Sequence, residues 1–243
     1  MPDPRATPEE IAELGKLSTC EISDALIKLG NSTGGHIPDL ERYSGREGET
    51  LVGEAFTVEM VDSSNTDAPK LQDHFVDLAT PDSVVIISAP AHLKNACLGG
   101  LLATSLSHKG VKGVIIAGRC RDLAELRALE LPVYARRHST LGQSPFSRPC
   151  KVQQPVVIFP TISTSMPTYT VLTSAYREPL FPPTMVHPFD LIVADLDGVV
   201  VVRPHYIQQV IELAKKGREV DEKCRRDLEE GKGVKETFKK HRG

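Results

Sequence analysis

Between Leu51 and Arg136 the chain alternates apolar, strand-like runs with helix-patterned segments, and this alternation constrains its fold more than any other feature. LVGEAFTVEMV at Leu51–Val61 alternates in polarity as a strand does, and SVVIISA at Ser83–Ala89 is a second strand, with a short helix expected near Pro69–Leu78 between them. A helix over Gly99–Lys109, a strand over Gly113–Ala117, a helix over Leu123–Leu129 and a strand over Pro132–Arg136 follow with short links. Strand and helix taking turns in this way predict βαβ units, a largely parallel central sheet and an α/β fold.

The flanks are read from their punctuation. Thr7-Pro8-Glu9-Glu10 and Ser18-Thr19-Cys20-Glu21 both carry capping-box spacing, and the second opens ISDALIKLG, a helix that stops at Gly30. Asn31–Thr50 is polar and glycine-rich, so a long loop is expected there. From 159 to 188 prolines, serines and threonines replace periodicity, which predicts a turn-rich insert. Two apolar strands then flank Asp197-Gly198, a hairpin dipeptide, within Phe189–Pro204. His205–Glu230 is patterned as a long, charged amphipathic helix, and the basic GKGVKETFKKHRG after it reads as a solvated, frayed tail.

Composition narrows the classes of function. A net charge of −3 over 243 residues offers no electrostatic reason for nucleic acid or an anionic membrane as partner. Five cysteines without a CxxC pair read as reduced thiols, and no apolar run reaches membrane-spanning length, so a cytoplasmic protein is expected. The histidines show no zinc-site spacing, and glycine fingerprints for nucleotides and a G-x-S-x-G nucleophile turn are absent.

The chemistry-bearing stretch is GGLLATSLSHKGVKGVIIAGRCRDLAEL, Gly99–Leu126. Its Gly99-Gly100 turn opens a helix whose Leu101 and Leu102 amides are unpaired donors for a carboxylate, or the glycines simply start a helix. Arg121 closes an apolar strand, where ligands of α/β proteins collect, and its planar fork suits a carboxylate; a surface arginine is the plainer reading. Asp122 is a candidate ligand for Mg²⁺ or Mn²⁺, but Asp122-Leu123-Ala124-Glu125 is also a helix-capping pattern. Cys120, beside Arg121, is either a thiol of lowered pKa or a small buried residue. His138-Ser139-Thr140 follows a strand end and either lines the same cleft or is loop.

Taken together, Gly100-x20-Arg121-Asp122-x2-Glu125 resembles the signature of the 4-hydroxy-4-methyl-2-oxoglutarate aldolase and RraA-like family. STCEISDALIKLG, LPVYARRHST and ADLDGVVVV agree with it, so the resemblance spans most of Leu17–Pro204. It implies a swivelling β/β/α fold like that of a phosphohistidine domain, here a single domain over 1–243, assembled as a trimer or hexamer. It further implies a divalent-metal-dependent pyruvate aldolase that also decarboxylates oxaloacetate, acting on a small 2-keto acid. Carried over by position, the Gly99-Gly100-Leu101-Leu102 turn holds the substrate carboxylate, Arg121 binds the keto-acid end and Asp122 anchors the metal. Members of the family also imply a second role, binding and inhibiting a ribonuclease without catalysis. Two departures stand out: aldolases often have an acid where this chain has Gly100, and the proline-rich insert is longer than the family pattern. The acid expected from a neighbouring subunit matches Glu212, Glu219 or Glu222 equally well.

Overall fold

The computed structural model describes residues 5–161 and 181–243. Two helices open it, α1 (Pro8–Leu14) and α2 (Thr19–Lys28), and both begin with the capping boxes expected. In the second, the Ser18 N–H donates to Glu21 at 2.8 Å while the Glu21 N–H donates back to the Ser18 hydroxyl at 3.2 Å. The remaining elements, in chain order, are β1 (Glu41–Ser44), β2 (Leu51–Asp62), α3 (Phe75–Leu78), β3 (Ser83–Ser88), α4 (Gly100–His108), β4 (Gly113–Cys120), α5 (Leu123–Leu129) and β5 (Val133–His138). After them come β6 (Ser147–Val152), β7 (Val156–Ile158), β8 (Thr184–Val186), β9 (Leu191–Ala194), β10 (Val199–Val202), α6 (Ile207–Glu229) and α7 (Val234–His241).

Eight strands form one sheet in the order β1-β5-β4-β3-β2-β9-β10, with β6 also paired to β2. The four central strands β2, β3, β4 and β5 are parallel as expected, but every other pairing in the sheet is antiparallel. The central sheet is therefore mixed rather than largely parallel. Strand β2 accounts for part of this: its first residues pair with β9 and its last with β6, so one twelve-residue strand serves two antiparallel partners.

Strand alternation divides the interior into layers. Val85 and Ile87 of β3 and Val114 and Ile116 of β4 face a core closed by Phe75, Ala103, Leu106 and Leu126 of α3, α4 and α5. On the same face of the sheet, Val200 and Val202 of β10 meet Ile22 and Leu26 of α2 and Val210 and Ile211 of α6. The intervening residues Val84, Ile86, Ile115 and Tyr134 face the other way, onto Val156, Ile158 and Val186 of the two-stranded β7–β8 sheet. Two stacked sheets and one helical layer make up the swivelling β/β/α arrangement.

Several elements differ from expectation for local reasons. The short helix near 69–78 shrinks to α3, and the loop assigned to 31–50 contains β1, a polar edge strand that pairs with β5. β6 carries Pro149 and sits at an edge, where a missing N–H is tolerated. Within the expected insert at 159–188, residues 162–180 lie outside the described residues, while Thr184–Val186 is strand β8. The long helix begins two residues late, after a 3-10 turn over Pro204–Tyr206. The basic tail is not a frayed end: α7 folds back on α6, where Asp227 receives Lys232 at 2.8 Å, Lys240 at 2.9 Å and His241 at 2.8 Å.

Candidate functional site

The Arg121-Asp122 dipeptide is delivered to the Gly99-Gly100 turn by backbone pairing. At the carboxyl end of β4 the register with β5 shifts between Ile116 and Arg119, and the chain from Ala96 to Leu98 runs alongside the strand end. The Cys97 N–H donates to the Arg119 carbonyl at 2.8 Å, and the Arg121 N–H donates to the Leu98 carbonyl at 3.0 Å. These bonds bring the residues before α4 beside the residues before α5, at the carboxyl end of the sheet.

Asp122 then takes a left-handed conformation, φ 60°, ψ 46°, which aspartate tolerates better than most residues. It sits at the N-cap of α5, yet its side chain makes no cap bond there. Its Oδ2 instead accepts the N–H of Gly100 at 3.0 Å and lies 3.3 Å from the Arg121 Nε. The capping pattern thus marks a real capping residue but names the wrong helix: Asp122 caps α4, whose own N-cap, Gly99, has no side chain to do so. Among the described residues Asp122 Oδ1 makes no hydrogen bond or ion pair. One donor of the expected cradle is therefore spent on Asp122. The next two N–H groups, of Leu101 and Leu102, belong to the first helical turn and have no intrahelical acceptor.

The glycines here make room for charged groups. A Cβ on Gly99 would stand 2.5 Å from Asp122 Oδ2, and one on Gly142 would stand 2.8 Å from Arg121 Nη1. At Gly100 the exclusion is strongest, since a Cβ would lie 1.7 Å from Glu125 Oε2. The Glu125 carboxylate occupies the place where a residue-100 side chain would begin. Glu125 was visible in the sequence as part of the signature spacing, but its meeting with Gly100 depends on how α4 and α5 pack.

The site is an open shelf. Leu101 is 85% exposed, and the Arg121 and Asp122 side chains are 41% and 35% exposed. No group of three histidine, cysteine or acidic residues converges as a metal cage among the described residues. Asp122, with its free Oδ1, and Glu125 nevertheless flank one turn, and Mg²⁺ is commonly held by one or two carboxylates with waters and substrate oxygens completing the shell. The donor set fits such an ion.

Other sequence candidates resolve differently. Cys120 is fully buried, and burial pushes its thiol up to about 11, so the reading of an activated thiol is overturned. The His138 ring packs edge-on against Tyr43 of β1, with centroids 5.9 Å apart. Glu212, Glu219 and Glu222, expected to serve a neighbouring subunit's site, all lie on α6.

Comparison with known proteins agrees with the geometry at the level of family. The family model described as "RraA-like: Aldolase/RraA" matches residues 19–201. A Halalkalibacterium halodurans protein provisionally named as a 4-hydroxy-4-methyl-2-oxoglutarate aldolase is 27% identical over 212 residues, covering 87% of this chain and 85% of its own length. An uncharacterised Methanocaldococcus jannaschii protein is 27% identical over 60% of this chain, a match that spans only 58% of that protein. Among solved structures, Streptomyces coelicolor RraAS2, titled an unusual member of the RNase ES inhibitor RraA protein family, superposes with a TM-score of 0.68 at 21% identity, covering 92% of this chain and 99% of that one. The chain belongs to the RraA-like aldolase/RraA family, and it has that family's fold.

Proposed function

We propose that the protein is a divalent-metal-dependent carbon–carbon lyase that generates the enolate of pyruvate. Its substrates in this reading are 4-hydroxy-2-keto acids of the 4-hydroxy-4-methyl-2-oxoglutarate type, oxaloacetate, or both. The observation that carries it is the meeting of Arg121, Asp122 and Glu125 around the Gly99-Gly100 turn.

The Arg121 fork binds and orients the 2-keto acid, and the Leu101 and Leu102 amides receive its carboxylate at the positive end of α4. Asp122 Oδ1 would hold Mg²⁺ or Mn²⁺, with waters and substrate oxygens completing the shell. When bound, that ion supplies Lewis-acid stabilisation of the developing enolate. Removal of the C4 hydroxyl proton breaks the C3–C4 bond of the aldol substrate, leaving pyruvate and pyruvate enolate. Decarboxylation of oxaloacetate reaches the same enolate without that first proton transfer, and protonation at C3 completes either reaction. With no side chain at residue 100, the Glu125 carboxylate fills that space and takes the part of positioning water or moving that proton. The shelf is open in one chain, which supports a homotrimer or hexamer in which a neighbour closes it. A cytoplasmic location belongs to this proposal; among the described residues no helix is long and apolar enough to cross a membrane.

The test is pyruvate release from both substrates, in EDTA and with Mg²⁺ or Mn²⁺ restored, for wild type and Asp122→Ala, after subtracting the metal-only rate. Activity that needs both metal and Asp122 is expected. A protein that releases no pyruvate from either substrate, yet binds a ribonuclease, would be the non-catalytic regulator instead.

A further inference from the structure

A second charged position lies on the other face of the sheet. Arg136 of β5 follows Tyr134 by two residues and so shares its face, the one covered by β7–β8, whereas α4 covers the opposite face. Arg136 reaches a cavity of about 400 Å³ walled by Met60, Ala117, Pro155, Val157 and Phe159. Such a volume is suited to a small organic molecule.

The guanidinium is poorly compensated. Among the described residues it donates one hydrogen bond, to the Phe159 carbonyl, and its buried Nε has no acceptor. The acid closest in effect, Asp39, accepts the Thr161 N–H at 2.6 Å and forms no ion pair with Arg136. Burial lowers the Arg136 pKa from the usual arginine value, with Asp39 partly opposing. Arginine nevertheless stays charged in proteins, so the site holds a cation short of partners. At the rim Lys151 is already satisfied by Glu59 at 2.9 Å. Charge and walls together point to an anion of unit charge with an apolar body. A phosphate dianion or a second carboxylate on the ligand would leave charge unmatched, since Lys151 is already held by Glu59.

We propose that this cavity binds a small organic monocarboxylate, with its carboxylate on Arg136 and its hydrocarbon part against the apolar walls. This goes beyond the lyase reading and stands without it, because the cavity shares no residue with the Arg121-Asp122 shelf.

Benzoate is the probe, titrated calorimetrically into the full-length protein, with benzamide as its uncharged isostere and phthalate as the dianion. Saturable benzoate binding is expected, weaker for both controls. Arg136→Gln should weaken it by roughly tenfold or more, the usual worth of a charge-assisted hydrogen bond. Ala91→Phe, at the exposed mouth, should block binding with Arg136 intact, which keeps the test decisive if Arg136→Gln fails to fold. Asp122→Ala should leave binding unchanged. No saturable binding in the millimolar range, equal binding in a folded Arg136→Gln protein, or loss of binding only in Asp122→Ala would each overturn the proposal.

Discussion

Asp122 carries two duties that one substitution can separate. Its Oδ2 caps α4 through Gly100, and its Oδ1 is free for a metal. Asparagine keeps a carbonyl oxygen able to accept the Gly100 N–H but loses the charge a hard cation needs. Asp122→Asn should therefore melt close to wild type while losing metal-supported turnover by orders of magnitude. Asp122→Ala should lose the same turnover and also about 1 kcal/mol of stability. Parallel thermal melts and pyruvate assays distinguish these, and an active Asp122→Asn enzyme would leave Asp122 only the cap. Gly100 provides the complementary test. A methyl group there displaces the Glu125 carboxylate, so Gly100→Ala should lower turnover about a hundredfold or more, the scale of a lost acid–base group. Adding Glu125→Gln should then cost little more, because both changes remove one function.

At the scale of elements, the docking of α7 rests on Asp227. The hydrogen bonds from Lys232, Lys240 and His241, in that order of effect, hold its carboxyl well below the ordinary aspartate range. A depressed acid contributes stability above its unfolded pKa, about 4, and loses it as pH falls below that. Amide exchange should accordingly show α7 protected at neutral pH and opening before the sheet does in acid. Asp227→Asn should open α7 at neutral pH while leaving β2–β5 protected. The basic tail misled at this scale for a physical reason: a run of like charges reads as solvated until one acid, on another helix, gathers it.

The whole molecule depends on a layer that local patterns barely announce. Ile158 is 1% exposed and seals the β7–β8 sheet over Ile86, Ile115 and Tyr134. Ile158→Ala should cost roughly 2–4 kcal/mol, read as a lowered denaturation midpoint, as for other buried large-to-small changes. β7 and β8 are three residues each and separated by a long stretch of chain, so neither carries enough period to be seen alone.

By itself the sequence determined the capping boxes, the four parallel strands, the 197–198 hairpin and the spacing from Gly100 to Glu125. Each is written in contiguous residues, where hydrogen-bond reach and side-chain period act over a few positions. The tertiary structure alone decided that Asp122 caps α4 rather than α5, that Glu125 fills the space above Gly100, and that α7 is docked. It also decided that β2 is shared between β9 and β6, which mixes the sheet. Those outcomes join residues far apart in the chain or on separate elements. They arise only when burial of the three layers fixes how the helices and strands lie against one another.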